Sequence, residues 1–326
     1  MQNSKQLVVN AIEFGTPDRL PVIFDSLGIS DVHFVGWNQK GSGDLTLRES
    51  YDEWGCGWMR TDLHNMGIVT EHPLFDWNLL DKYHWPDPNN PQLYEGMDIQ
   101  LEKSEGKYIL TSIFMLLFER MHSLRGFENT LMDLYMEREK IELLADRIVD
   151  FNIAVIKNIS ALYPERIQGL MFSDDWGTES STFISPKLWR EFFKPRYQKI
   201  FSACKDAGWH IWMHSCGKIN EIIPDLIEIG LDVLSPLQPC VLGIKEIGEK
   251  FAGKICFLSL CDIQSTLPYK GEAEICDEAK LLIDKWGTDK GGFILIDYGD
   301  GEAIGVPFEK KRIMFEAFKK YDRWVR

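Results

Sequence analysis

The sequence is poor in the features that would direct it to a membrane, a nucleic acid or an oxidising compartment. No apolar run approaches the roughly 20 residues that span a bilayer. The start, MQNSKQLVVNAIEFGTPDRLPV, has no charged segment, apolar run and small-residue cleavage site in the order of a signal peptide, so a cytoplasmic location is expected. With 36 Lys and Arg against 50 Asp and Glu, the net charge of -14 leaves no basic face for nucleic acid. Seven cysteines, odd in number and without paired spacing, read as reduced thiols and possible metal ligands rather than a disulfide framework. No G-x-G-x-x-G follows the first apolar run, which counts against a dinucleotide fold.

What is present is a 326-residue chain, 44% hydrophobic, enough for one large core. Short, nearly continuous apolar runs recur: LPVIFD (20–25), YILTSI (108–113), IQGLMFSDD (167–175), HIWMHSCG (210–217), DVLSPLQP (232–239), ICFLSLCD (255–262) and GGFILIDYG (291–299). Most are separated by stretches of helical periodicity. Fully apolar strands joined by helical crossovers mean a parallel sheet buried on both faces. The expected fold is therefore α/β, a (β/α)8 TIM barrel over residues 1–326 with an eighth strand unassigned; a doubly wound open sheet is the alternative. Residues 26–90 break the pattern and read as an aromatic-rich insertion of a hairpin and loops. Within it, Asp31 to Gly36 spells D-x-H-x-x-G, a cobalamin-ligating pattern, but the companion Ser-x-Leu and Gly-Gly elements are missing and a corrinoid site is rejected.

The strand ends carry the chemistry. Reading each run to its last residues gives Asp25, Asp174 with Asp175, His214 with Cys216, Gln238, Cys261 with Asp262, and Asp297 with Tyr298. In a barrel these converge on one mouth, where active sites are built. His214 and Cys216, two apart, project to one side and suit a soft divalent metal such as zinc. Asp174 and Asp175 cannot both point inward, and Asp175 is the expected pocket residue. Asp297 and Tyr298 are further candidates for catalysis, and Asp25, Gln238 and Trp54 for substrate binding.

TPDRLPV, DEWG, SDDWGT, ISPKLWREFFKPRY, HSCGKINEIIPDLIEIGLDVLSPLQP and the C-terminal GGFI and VPFEKK together resemble the uroporphyrinogen decarboxylase superfamily, in particular its cobamide-dependent methyltransferases. The resemblance implies a (β/α)8 barrel and a zinc ion bound by the His-x-Cys pair and a later cysteine. His214 and Cys216 match the pair. Where that branch has a cysteine after the last strand, this chain has Asp297, Tyr298 and Gly299, so Cys261 is the preferred third ligand and Asp297 the alternative. The resemblance further implies methyl transfer between a small methylated substrate and the cobalt of a corrinoid carried by a partner protein. If the aromatic segment from Trp54 to Trp85 covers the mouth, a methoxylated aromatic is the favoured substrate. Two other readings are a tetrapyrrole decarboxylase and a silent docking subunit for the corrinoid protein. The decarboxylase lacks support, because no arginine lies between LPVIFD and Arg48 to receive the tetrapyrrole's carboxylates.

Overall fold

A computed structural model describes residues 2–39, 46–60, 67–104 and 106–325. Eight parallel strands form the barrel: β1 (Val22–Phe24), β2 (Val32–Phe34), β3 (Tyr108–Ile113), β4 (Gly169–Ser173), β5 (His210–His214), β6 (Val233–Ser235), β7 (Cys256–Ser259) and β8 (Phe293–Ile296). Neighbours from β2 through β8 pair in order and β8 returns to β1. A two-residue strand, Ile29–Ser30, runs antiparallel on β1.

The seam between β1 and β2 is closed by one residue. Asp31 donates its N–H to Val22 O at 2.8 Å, and its carboxylate accepts from Val22 N at 2.9 Å. That carboxylate also pairs with Arg19 at 2.6 Å, and burial, which alone would raise its pKa, is outweighed by Arg19, Ser4 and the Val22 N–H. The D-x-H-x-x-G stretch is thus the unassigned eighth strand. Its His33 lies on the outer side, with Nε2 2.9 Å from Gln100 O.

Strand alternation sorts the side chains. Ile23, Val32, Tyr108, Leu110, Trp212, Val233, Cys256, Leu258 and Ile294 fill the interior together with Met171 and Ile296. Val8, Ala11 and Ile12 of the N-terminal helix, Ser4–Ile12, plug its lower end. That helix starts at Asn3, whose side chain accepts from Gln6 N at 2.9 Å. The barrel is a packed core, and at the strands' carboxyl ends Asp175, His214 and Cys216 are partly exposed. No helix among the described residues is long and apolar enough to cross a membrane.

The insertion after β2 builds a three-stranded antiparallel sheet, Glu49–Tyr51, Gly57–Met59 and Ile68–Glu71. It is fastened to the barrel by Asp52. One carboxylate oxygen takes the N–H groups of Trp54 (3.0 Å) and Cys56 (2.9 Å); the other takes Trp58 Nε1 (3.0 Å) and Arg120 Nη1 (2.6 Å). Arg120 belongs to the helix after β3, Phe118–Arg125, and both charges are buried. Asp52→Ala would strand a buried guanidinium and is expected to cost about 3–5 kcal/mol in urea unfolding.

Candidate active site

At the mouth, β4 and β5 end side by side, with Ser173 in register with His214. His214 faces inward, in phase with Trp212 of the interior. Its Nδ1 lies 2.8 Å from Ser235 O on β6. A carbonyl only accepts, so Nδ1 carries the proton and Nε2 presents a lone pair. Nε2 is 3.4 Å from Cys216 Sγ and 3.8 Å from Asp175 Oδ1. A ligand atom from each of Asp175, His214 and Cys216 lies within 4.8 Å of the others.

This donor set fits a divalent metal. Zinc bonds of about 2.0–2.3 Å in a tetrahedron put ligand atoms roughly 3.3–3.7 Å apart, close to the spacing found. One imidazole, one thiol and one carboxylate leave a fourth position toward the cleft, the pattern of a catalytic rather than a structural site. Burial and then the nearby Asp175 push the Cys216 thiol up, so uptake of a metal must release its proton.

The loops after β4 and β5 are locked together through backbone N–H groups. Cys216 N donates to Asp175 Oδ1 at 2.7 Å, Lys218 N to Thr178 O at 2.7 Å, and Trp176 N to Ser215 Oγ at 3.1 Å. Gly177 and Gly217 allow this: a Cβ on Gly217, where φ is +78°, would sit 2.1 Å from Gly177 O. Gln238 is nine-tenths buried, and its Oε1 accepts from Gly217 N at 2.9 Å. Through that bond it braces the loop that carries Cys216.

The two adjacent aspartates part company. Asp174 points outward and is fully buried, accepting from Leu117 N (3.0 Å), Phe118 N (2.9 Å), Glu119 N (2.7 Å) and the Tyr197 hydroxyl. It caps the helix after β3. Burial raises its carboxyl to about 6, against the downward pull of those four donors. Asp175 points inward to His214 and Cys216. Asp174→Asn places an amide among the helix's N–H donors and is expected to cost about 1–3 kcal/mol of stability. Asp175→Asn should leave the melting temperature within about 2 °C and weaken metal binding at least about 10-fold, as thermal melts beside zinc titrations would show.

Glu119 escapes a reading of strand ends, because it sits on the first turn of a helix. Its carboxyl accepts from Ser173 Oγ at 2.9 Å and is held well above the usual range by burial, then by Asp175 and Asp174. Only proximity in the fold reveals it.

Several expected site residues lie elsewhere. Cys261 does not join the ligands: following β7, it is out of phase with the inward Cys256 and Leu258, fully buried, with Sγ 3.5 Å from Ile275 O of the outer helix Glu272–Trp286. Asp297, the alternative third ligand, is likewise out of phase with Ile294 and Ile296. Its Oδ2 takes Ser26 N at 3.2 Å, and its Oδ1 sits 3.3 Å from Lys311 Nζ, an ion pair without hydrogen-bond alignment. Tyr298 turns inward and is half-buried, near enough that Cys216, after burial and Asp300, contributes to raising its phenol. Asp25 stands exposed in the 3-10 turn Asp25–Leu27.

Trp54 does not line the mouth. It packs edge-on against Phe151 at 4.7 Å, beneath the Arg120 guanidinium at 5.3 Å. Trp58 is buried, Trp77 gives Nε1 to Asp133 at 3.0 Å, and Trp85 packs on Tyr83 at 4.8 Å. Trp54 and Trp58 are core, Trp77 and Trp85 pack partly buried against it, and Trp54 is held between Phe151 and Arg120.

Comparison with known proteins agrees with the architecture. The fold is similar to a solved methyltransferase from Methanosarcina mazei, at 18% identity over 98% of this chain and 99% of that one, with a TM-score of 0.70. An endo-β-1,4-xylanase from Gloeophyllum trabeum matches at 11% identity over 72% of this chain and 82% of its own, but at a TM-score of 0.43 it carries no argument. No curated protein matches. The family model described as uroporphyrinogen decarboxylase (URO-D) matches residues 59–321, most of the chain and all but two of its barrel strands. With that match, and with the barrel and the mouth described above, the chain belongs to the uroporphyrinogen decarboxylase family.

Proposed function

We propose that the protein is a methyltransferase that moves a methyl group between a small substrate and the cobalt of a corrinoid held by a separate protein, using a zinc ion bound by His214, Cys216 and Asp175. The observation that carries this reading is the cluster of His214 Nε2, Cys216 Sγ and an Asp175 oxygen within 4.8 Å at the barrel mouth. The likeness to a barrel described as a methyltransferase supports the same reading.

Zinc bound there would supply Lewis acidity at its open position, toward an ether oxygen or a thiol. The protein's part is preorganisation. Ser235 O fixes the His214 tautomer, Asp175 holds the Cys216 backbone, and Gln238 holds Gly217, so the three donors converge before any ligand arrives. The inward phase of Tyr298 places it on the cleft wall, where it can orient a substrate.

Decarboxylation of a many-carboxylate tetrapyrrole fits the chain poorly, since no arginine lies between LPVIFD and Arg48 to receive the substrate's carboxylates. The test is incubation of zinc-loaded protein with reduced cobalamin and a panel of methoxyarenes, methylamines, methanol and methylated thiols. Methylcobalamin formed from at least one donor is expected. No turnover with any of them, in protein shown to carry its metal, would point instead to a docking subunit without catalysis.

A further inference from the structure

The helix Phe127–Met136 has its polarity inverted. Its inner face is Thr130, Asp133 and Leu134, and the buried Asp133 carboxylate accepts from Arg125 Nε at 2.7 Å and Trp77 Nε1 at 3.0 Å. At about 3.6 residues per turn, the opposite half of the helix presents Phe127, Leu131, Met132, Tyr135 and Met136, with Glu128 as its one charge. A surface helix ordinarily turns its charged residues to solvent and its apolar ones to the core.

The insertion extends this face. Leu74 donates its N–H to Leu124 O at 2.9 Å, and Arg125, 4.4 Å from the Trp77 ring centroid, donates to the carbonyls of Leu74 and Phe75. The segment 74–79 is thereby pinned beside the helix. Asp76 is turned to its own backbone, accepting from Asn78 N at 2.9 Å. Phe75, Leu79, Phe127, Met132, Tyr135 and Met136 are between 38% and 77% exposed. At about 150–250 Å² for a large side chain, those fractions leave roughly 700 Å² of largely apolar surface in water. The largest such patch on an ordinary monomer is about 300–600 Å², and a stable interface takes about 800 Å² from each partner.

Two features select a second copy of this chain as the occupant. The face is nearly uncharged, so it has no charge pattern for a different partner to match. With a net charge of -14, two copies repel each other over the rest of their surface, and here they approach with least opposition. A two-fold axis would lay the face on its own equivalent and bury roughly 1,400 Å² in all, the standard size of a specific interface.

We infer that the protein is a two-fold homodimer in which Phe127–Met136 packs against the same helix of a second copy, flanked by Phe75 and Leu79. Both segments belong to connections that leave the carboxyl ends of β2 and β3, so the joint lies on the mouth side of the barrel. Association through this face requires neither the metal nor methyl transfer.

Sedimentation velocity of the full-length protein at micromolar concentration is the test. A species of twice 37.7 kDa is expected, and Phe75→Lys combined with Tyr135→Lys should weaken the dimer at least about 100-fold, a loss on the scale of interface hot spots. Lysine is the stringent choice, because it lowers the net negative charge and would otherwise favour association. Both side chains are exposed in the single chain, so the far-UV spectrum of the variant should match that of the unaltered protein. Tyr269→Lys, at an 80% exposed position in the connection after β7, should keep the dimer. In hydroxyl-radical footprinting, Met132 and Met136 should oxidise severalfold more slowly in the dimer than in the monomeric variant. A monomer at every concentration would overturn the inference and leave the face to another protein. A dimer that survives both lysines, or one in which Met132 and Met136 oxidise as fast as in the variant, would overturn it as well.

Discussion

His214→Ala and Cys216→Ser are each expected to purify without stoichiometric zinc and without methyl transfer, while Cys261→Ser keeps both. His214 is a neutral donor whose free Nε2 is set by the Ser235 carbonyl, and no other imidazole among the described residues shares the cluster. Serine in place of Cys216 substitutes a hard, weakly acidic hydroxyl for the soft ligand that zinc favours. Loss of either leaves two protein ligands, and affinity should fall at least about 100-fold, the upper end of what mere supporting contacts contribute. Cys261 supplies the contrast, because its sulfur faces Ile275 on an outer helix. Zinc analysis of the three variants beside the parent decides the matter, and metal lost on Cys261→Ser would contradict the assignment.

Gly217→Ala should disable the site as thoroughly without touching a ligand. The alanine methyl would lie 2.1 Å from Gly177 O and 2.2 Å from Gly177 C, and these are backbone atoms that cannot swing aside. Relief requires the two loops to separate, which breaks the Asp175 to Cys216 N–H bond and pulls the carboxylate from the thiol. The positive φ adds about 1–2 kcal/mol of its own. Gly208→Ala separates the two effects, because Gly208 has a φ of +74° and open space around it. Gly208→Ala should lower stability by about that 1–2 kcal/mol and leave zinc binding unchanged, whereas Gly217→Ala should lower both. Equal zinc affinity in the two variants would show that the loop contact does not hold the site.

The barrel is legible in the sequence because seven of its strands are apolar runs buried on both faces, a pattern produced by a parallel sheet between helices and not by half-exposed strands. The eighth, Val32–Phe34, escapes because it is three residues long, contains His33, and falls within the irregular stretch 26–90 whose aromatics mask any pattern. Its assignment depends on Asp31 bonding Val22 across the seam, a contact that no local pattern reports.

The site is legible where side-chain phase is followed. Alternation places Asp175 rather than Asp174 in the pocket, and the structure has that arrangement. The same rule applied to β7 and β8 turns Cys261 and Asp297 outward, although both qualify as ligands by lying at strand ends. Proximity to a strand terminus and orientation toward the mouth are separate conditions. Glu119 belongs to neither class, since it reaches the cleft from a helix whose start is fixed by Asp174. Residue type alone points Trp54 toward substrate, whereas its ring is packed against Phe151 inside the protein.

The central claim is that one imidazole, one thiolate and one carboxylate at the ends of β4 and β5 hold a divalent metal. X-ray absorption spectroscopy of the zinc-loaded protein tests it most directly, because sulfur and lighter ligands scatter distinguishably. The expected result is a single sulfur at about 2.3 Å with nitrogen and oxygen at about 2.0–2.1 Å, the sulfur lost on Cys216→Ser. Two sulfurs, or a zinc shell unchanged by Cys216→Ser, would contradict it.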